Sequence, residues 1–396
     1  LPAENRHLVE LAALLPQRVI ENLVAERRLG RQVKPRFATK SIEGALLFID
    51  VSGFTASMEI FAQQGSKGIE KFWKMFNAYF RDLLDVIQGT GGDIDCFAGD
   101  AILVVYESQR LWKRTREEVR DSVQTPDGNP PSMLMLATLV ASQCAGRLLN
   151  NLSPYNFSDG ETESTLTLHG SIGAGRVRTV DIGGTTNKGE SAFETFSCGA
   201  VFEQLAVAHD LSSKNEFCLS SEAVVLAGHY LDLWDHPEEE GCKILKGVRD
   251  PGDPSPAFLS TERNPHGLET LSPAKASMPD FYRGEAEHAD LFHRLKLSKE
   301  ESKVLAVDLN KFISRSVADR IASVVSSRTS EGEATLGELR RGTMGFVKFE
   351  IMDINSAACH EPEKGIHAVA QVVLMAIREV LIAGGYVNKV IMDEKG

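Results

Sequence analysis

Two aspartates are the residues of this chain whose settings best suit chemistry. Asp50 closes an apolar run, Ala45 to Val51, of the kind that forms a buried strand. Asp100 sits in Ala98-Gly99-Asp100, a tight turn between the apolar runs Ile94 to Phe97 and Ala101 to Tyr106, which together read as a β-hairpin. If these strands are antiparallel neighbours, both carboxylates converge at one sheet edge. Convergent carboxylates suit a divalent cation carrying a triphosphate. Ser52-Gly53-Phe54-Thr55 directly follows the strand and opens a helix. Exposed N–H groups there would cradle phosphate, helped by the helix dipole. A bound metal could then activate a hydroxyl and neutralise charge developing on phosphate. Each aspartate alone has a plainer account: Asp50 as a helix cap and Asp100 as a turn residue. The phrases F-I-D-V-S-G-F-T and F-A-G-D-A-I-L together are more specific than either residue.

The elements that must position these groups follow from periodicity. Leu8, Leu11, Leu14 and Leu15 have helical spacing, interrupted by Pro16, in a lead-in over residues 1–35. Ile69, Phe72, Trp73, Phe76, Phe80, Leu83, Leu84 and Ile87 recur every three or four residues and mark a long amphipathic helix, ended by Gly89, Gly91 and Gly92. Residues 108–131 are polar and contain Pro126, Pro130 and Pro131, so an insertion loop is expected. Met133 to Leu149 reads as a helix. Leu166 to Ala174 and Arg176 to Ile182 read as a hairpin joined near Gly175. Ala200 to His209 is expected to be helical and Phe217 to Leu219 a strand. Helices are also expected at Ser302 to Val325 and Ile366 to Ala383. The implied divisions are a lead-in at 1–35, a domain at 36–260, a linker with a helix at 261–340, and the start of a second domain at 341–396.

That last segment repeats the first. Phe346-Val347-Lys348 answers Phe48-Ile49-Asp50, and Gly384-Gly385-Tyr386-Val387 answers Gly91-Gly92-Asp93-Ile94. Asp393 answers Asp100. An offset of roughly 295 residues means two homologous domains rather than a solenoid. Lys348 stands where Asp50 stands, so the second copy lacks one of the two carboxylates.

Composition excludes several classes. The chain has 396 residues, 42% apolar and 25% charged, with a net charge of −12, which is the balance of an ordinary globular protein. Disorder, collagen and a basic nucleic-acid platform are disfavoured. Six cysteines occur with no C-x-x-C spacing, which fits a reducing compartment rather than a zinc ribbon or disulfide framework. No apolar run is long enough to span a bilayer. The start at Leu1 and the stop after Gly396 suggest a piece of a longer protein.

The sequence resembles the class III nucleotidyl cyclases, and among them the soluble, bicarbonate-responsive adenylyl cyclases. The resemblance rests on residues 48–59 and 91–103, on A-A-L-L-P at 12–16, on L-G-E-L-R at 336–340, and on V-N-K-V-I-M-D-E-K-G at 387–396. It implies an α+β fold: a ferredoxin-like, antiparallel-rich sheet flanked by helices. It further implies a pseudo-twofold pair of such domains, here with the second copy truncated, and an active site between them. Asp50 and Asp100 match the family's metal aspartates, which hold two Mg2+ or Mn2+ ions. The backbone of Val51 matches the segment at the metal, and Ser52, Gly53, Phe54 and Thr55 that at the phosphates. Lys389 matches the lysine that reads adenine; a donor there favours adenine N1, an acceptor, over guanine N1–H.

Departures from the family pattern are specific. Cys96 and Gln204 replace the lysine and arginine of the family's bicarbonate site, so a bound anion loses its attraction. Direct bicarbonate activation is therefore not expected. His169 stands where the family has a basic phosphate contact, and equally suits a strand histidine bonded to a neighbour. The family's transition-state asparagine and arginine belong to the later part of the second domain, so the expectation is that the same chain continues into it, that another chain supplies it, or that the protein no longer catalyses. The resemblance implies an adenylyl cyclase acting on ATP, cytoplasmic and in some relatives ciliary or flagellar. The rival expectation, motivated by Cys96, Gln204 and His169, is a pseudo-cyclase serving as scaffold or nucleotide sensor in a larger assembly. The acidic charge argues against nucleic acid as a partner.

Overall fold

The computed structural model describes residues 8–9, 11–31, 38–115, 129–158, 160, 162–185, 191–250, 253–258, 291–292, 295–313, 317 and 362–383. In chain order these form α1 (Gln17–Arg28), β1 (Ala38–Ser52), α2 (Phe54–Ala62), α3 (Ser66–Gly89), β2 (Asp93–Ala98), β3 (Ala101–Glu107) and α4 (Ser108–Arg114). There follow α5 (Met133–Leu152), β4 (Tyr155–Ser158), β5 (Glu163–Thr185), β6 (Ser191–Cys198), α6 (Ala200–Asp210), β7 (Phe217–Leu219) and α7 (Ser221–Ala227). The last are β8 (Leu231–Asp235), β9 (Lys243–Asp250), β10 (Asp253–Phe258), α8 (Lys299–Leu309) and α9 (Pro362–Ile382). The chain divides into two compact units. One comprises Leu1–Lys40, Arg178–Ser197 and His288–Gly396; the other comprises Ser41–Val177 and Cys198–Glu287.

The second unit is α+β, with a mostly antiparallel sheet in the order β10-β9-β7-β5-β1-β3-β2. The registers β1/β3, β2/β3, β4/β5, β7/β9, β8/β9 and β9/β10 are antiparallel, and β5/β7 is parallel. The apolar run of β1 is continuous because both of its faces are covered. Leu47, Ile49 and Val51 join the core formed with Phe72, Phe76, Tyr79 and Leu83 of α3 and Leu136, Val140 and Leu148 of α5. Leu46, with Phe48 beside it, packs on the opposite face against Val201 and Leu205 of α6, together with Cys96, Leu103, Val105 and Val177. Side chains alternate between faces along a strand, so each parity meets its own helix layer.

Three expectations are corrected by the structure. Leu166 to Ile182 is one strand, β5, with no hairpin at Gly175. The glycine run permits close packing instead: a Cβ on Gly173 would sit 3.1 Å from Val201 Cγ2 and 3.2 Å from Gln204 Oε1 of α6. The polar segment 108–131 begins not as loop but as α4, held by buried Leu111 and by an Arg110–Asp93 ion pair at 3.4 Å. The helix expected over Ser302 to Val325 starts earlier, at Lys299, because Ser298 and Glu301 form a reciprocal capping box, and it ends at Leu309, where a 3-10 turn and extended Ile313 follow. The strands expected around Phe346 and Tyr386 lie outside the described residues, whereas the helix between them is present as α9.

The other unit has its own core, in which Leu11, Val19, Ile20 and Leu23 meet Leu305 and Leu309. At its centre Arg27 donates two hydrogen bonds to Asp308, Nε to Oδ2 at 2.5 Å and Nη2 to Oδ1 at 2.6 Å. Lys311 adds a third at 2.9 Å. Burial pushes the Asp308 carboxyl up, but the hydrogen bonds from Arg27 and Lys311 outweigh it and hold the group below its ordinary range. A lowered carboxyl stabilises the fold above its unfolded pKa, and that contribution is lost as pH falls through the lowered value. Asp308→Asn should therefore cost about 2 kcal/mol near neutral pH, an amount typical of hydrogen bonds to charged groups. The difference from the parent in denaturant unfolding should shrink in acid. Among the described residues no helix is long and apolar enough to cross a membrane.

Candidate functional site

Strand parity delivers the site. Along β1, Leu47, Ile49 and Val51 face α3 and α5, so Asp50 shares the opposite, α6-facing side with Leu46 and Phe48. The same parity on β5, which neighbours β1, sends Leu166, Leu168 and Ile172 to the α3 side and His169 to that of Asp50. His169 Nε2 lies 3.4 Å from Asp50 Oδ2, and its Nδ1 is 3.2 Å from Ser52 Oγ. His209, in the last turn of α6, stacks on His169 with ring centroids 5.0 Å apart and meets the Phe48 ring edge-on at 4.8 Å.

Asp100 occupies the two-residue tip of the β2–β3 hairpin, where Ala98 pairs with Ala101 and Gly99 has φ +70°. Its carboxyl is raised above the ordinary range, chiefly by burial and further by the charge of Asp50; its own backbone amide and His169 pull the other way. Burial also lowers His169, and His209 and Lys214 lower it further, against the pull of Asp50 and Asp100. Asp50, Asp100 and His169 thus share one electrostatic field. A carboxylate destabilised by burial and a like charge is one that a cation would relieve.

The turn after β1 is tightly specified. Gly53 has φ +99°, and a Cβ there would lie 2.6 Å from the Thr165 carbonyl oxygen. The Gly53 carbonyl accepts from Ser57 Oγ at 2.6 Å and Ser57 N at 2.9 Å, fixing the start of α2. Phe54 is drawn into the core, its ring 4.5 Å from Phe76 and 5.4 Å from Phe72, so it offers the site only its backbone. Thr55 is exposed and Ser52 half-buried.

The structure therefore gathers Asp50, Asp100, His169 and Ser52, with Val51, Gly53, Phe54 and Thr55 forming the adjoining turn. Cys96 is a buried thiol in the apolar layer beneath α6. Gln204 lies on α6, its Oε1 accepting from Ala174 N at 3.0 Å and Ser220 Oγ at 3.1 Å. Neither offers an anion a cationic partner. Lys389 lies outside the described residues. His209 escaped the sequence reading, which saw in 200–209 only a helix. Its signal was spacing: Val201, Leu205 and His209 are four apart, so the histidine continues the stripe that faces the sheet. The donor atoms of Asp50, His169 and His209 all lie within 4.8 Å of one another.

No family model matches the chain. Its sequence is 24% identical over 401 residues to adenylate cyclase type 10 of Oryctolagus cuniculus, covering 99% of this chain and 21% of that protein. With adenylate cyclase type 10 of Homo sapiens the identity is 24% over 395 residues, covering 98% of this chain and 20% of that protein. Among solved structures, the adenylyl cyclase CyaB from P. aeruginosa is 14% identical, covering 54% of this chain and 98% of that one at TM-score 0.36. The guanylyl cyclase Cya2 is 19% identical, covering 54% of this chain and 95% of that one at TM-score 0.32. The chain spans about one fifth of the length of the curated relatives it matches. The resemblance carried by the aspartate phrases is thus accompanied by a similarity that runs over nearly the whole chain, at 24% identity to about one fifth of the length of the adenylate cyclase type 10 sequences.

Proposed function

We propose that the chain contributes the metal-binding half of an adenylyl cyclase that converts ATP to 3′,5′-cyclic AMP and pyrophosphate. The observation that carries this reading is the β1/β3 register, Ile49 opposite Ile102, which brings Asp50 beside the β2–β3 tip that holds Asp100, next to the N-terminus of α2. Two carboxylates are the donor set of a hard divalent cation, so the residues fit Mg2+ or Mn2+. Asp50, Asp100 and the Val51 backbone would hold two such ions. When bound, they lower the pKa of the ribose 3′-hydroxyl and neutralise charge on the triphosphate.

The remaining roles belong to the chain itself. The amides that open α2 at Phe54 and Thr55 present donors and a positive dipole end to phosphate oxygens. Gly53 lets that turn close against Thr165. Ser52 holds His169 by Nδ1, leaving its other nitrogen toward Asp50 and the phosphate region. Lys389 would select adenine, and the rest of the second cyclase domain, in this or another chain, would complete the centre. The division into a first cyclase domain at 36–260 and the start of a second at 341–396 belongs to the same proposal. Cyclic AMP formation by the intact protein, lost in Asp50→Asn, is the test.

A second consequence concerns regulation. Gln204 presents a carbonyl oxygen already committed to Ala174 and Ser220, and Cys96 is a buried thiol. Bicarbonate titrated at constant pH should leave the cyclase rate flat; a saturable rise would show an anion site elsewhere. The pseudo-cyclase reading keeps one specific observation in its favour, the His169–Asp50 contact at a position meant for metal. Metal and nucleotide binding without turnover would establish it.

A further inference from the structure

His209 has no part in the cyclase reading, yet it is placed with care. It is half-buried, its ring lies nearly parallel to that of His169 at an interplanar angle of 20°, and its Nδ1 is buried without a hydrogen-bond partner among the described residues. An imidazole nitrogen removed from water and left unmatched costs free energy unless something completes it. The groups within reach are His169 and Asp50, all three offering donor atoms within 4.8 Å of one another.

We propose that Asp50, His169 and His209 form a site for a divalent transition ion of the zinc class, and that its occupation withdraws Asp50 from the catalytic cation. Two imidazoles and one carboxylate select a borderline-soft metal, whereas Mg2+ and Ca2+ favour all-oxygen sets. The 3.4 Å between His169 Nε2 and Asp50 Oδ2 agrees with two ligands on one tetrahedral ion, for which metal–ligand bonds of about 2.0–2.2 Å give an edge of roughly 3.4 Å. The two remaining edges, both to His209, are no longer than 4.8 Å, and His209 sits in the last turn of its helix. Ser52 already holds His169 by Nδ1, the outer contact that fixes a ligating imidazole and leaves Nε2 free for metal. Three protein donors leave a fourth position open to water.

The binding claim stands without any assumption about activity. The inhibitory consequence rests on the cyclase reading, because only there is Asp50 needed by another ion. Cobalt(II) titrated into the intact protein should develop the visible absorption of a tetrahedral ion at one equivalent, and zinc should abolish it while excess Mg2+ does not. His209→Gln should weaken zinc binding by at least the roughly 10- to 100-fold that loss of an outer-shell partner alone costs. His209→Phe, which keeps a ring against His169 and Phe48, guards against a folding artefact, and the thermal melt of each variant is recorded. Absence of the cobalt spectrum in the parent, or unchanged zinc affinity in two folded variants, would overturn the site. Zinc should inhibit cyclic AMP formation in the parent, with little relief by excess Mg2+ and weaker inhibition in the His209 variants. Tight zinc binding without inhibition would overturn the link to Asp50. A protein that makes no cyclic AMP would sink the cyclase reading while the cobalt spectrum still decides the metal site.

Discussion

Asp100→Asn should lower cyclic AMP formation by the intact protein roughly 100-fold or more, the scale on which removing one electrostatic contact to developing charge acts. The fold should not suffer. Asp100 lies at a two-residue hairpin tip, a position asparagine accepts as readily as aspartate. Its charged form is disfavoured in the folded chain by burial and by Asp50. A raised carboxyl is a destabilised charge, so the metal-free variant should melt at the parent's temperature or slightly above it. Loss of activity without loss of stability separates a ligand from a structural residue. An equally active Asp100→Asn would remove that aspartate from the metal site, and a strongly destabilised one would make it a turn residue.

Gly170→Ala should be among the most damaging single-methyl changes in the second unit. A Cβ at Gly170 would lie 2.0 Å from the Phe48 carbonyl oxygen and 2.7 Å from Phe217 Cε1. The first obstacle is backbone of the neighbouring strand and the second a fully buried ring, so neither can step aside as a flexible side chain would. Overpacking of this kind costs about 3 kcal/mol. The shift would fall on β1 two residues before Asp50 and on β5 one residue after His169, so activity should fall along with stability. Gly89→Ala is the control: no atom outside its own helix lies within 4 Å of its Cβ position, and alanine there should stabilise α3 by about 0.5 kcal/mol. Denaturant midpoints of the two variants should move in opposite directions. An unchanged midpoint for Gly170→Ala would show that β1 and β5 are not packed as closely as described.

The legible parts of this chain are those where one periodicity dominates. The both-faces-buried run of β1, the apolar stripe of α3 and the Gly99-Asp100 tip each carry a local signal strong enough to survive tertiary context. That is why the placement of Asp50 at the end of a strand and of Asp100 at a hairpin tip was legible in the sequence. The Gly175 hairpin failed because glycine serves two purposes: it turns a chain, and it admits a neighbour. At Gly173 the neighbour is α6, whose approach depends on residues thirty positions away. His209 was missed for a related reason. Its meaning comes from a ring on another strand, and only the four-residue spacing from Val201 and Leu205 hinted that it faced inward. The role of Gln204 likewise became visible through Ala174 and Ser220 rather than through its own neighbours in sequence.

The most direct measurement is product formation from ATP by the intact protein, with Mg2+ and then Mn2+, following cyclic AMP and pyrophosphate together with bound nucleotide. The account predicts equal amounts of the two products, dependence on the divalent cation, and loss of both in Asp50→Asn. Metal-dependent nucleotide binding with neither product would contradict it and leave Asp50 and Asp100 as the anchors of a nucleotide sensor.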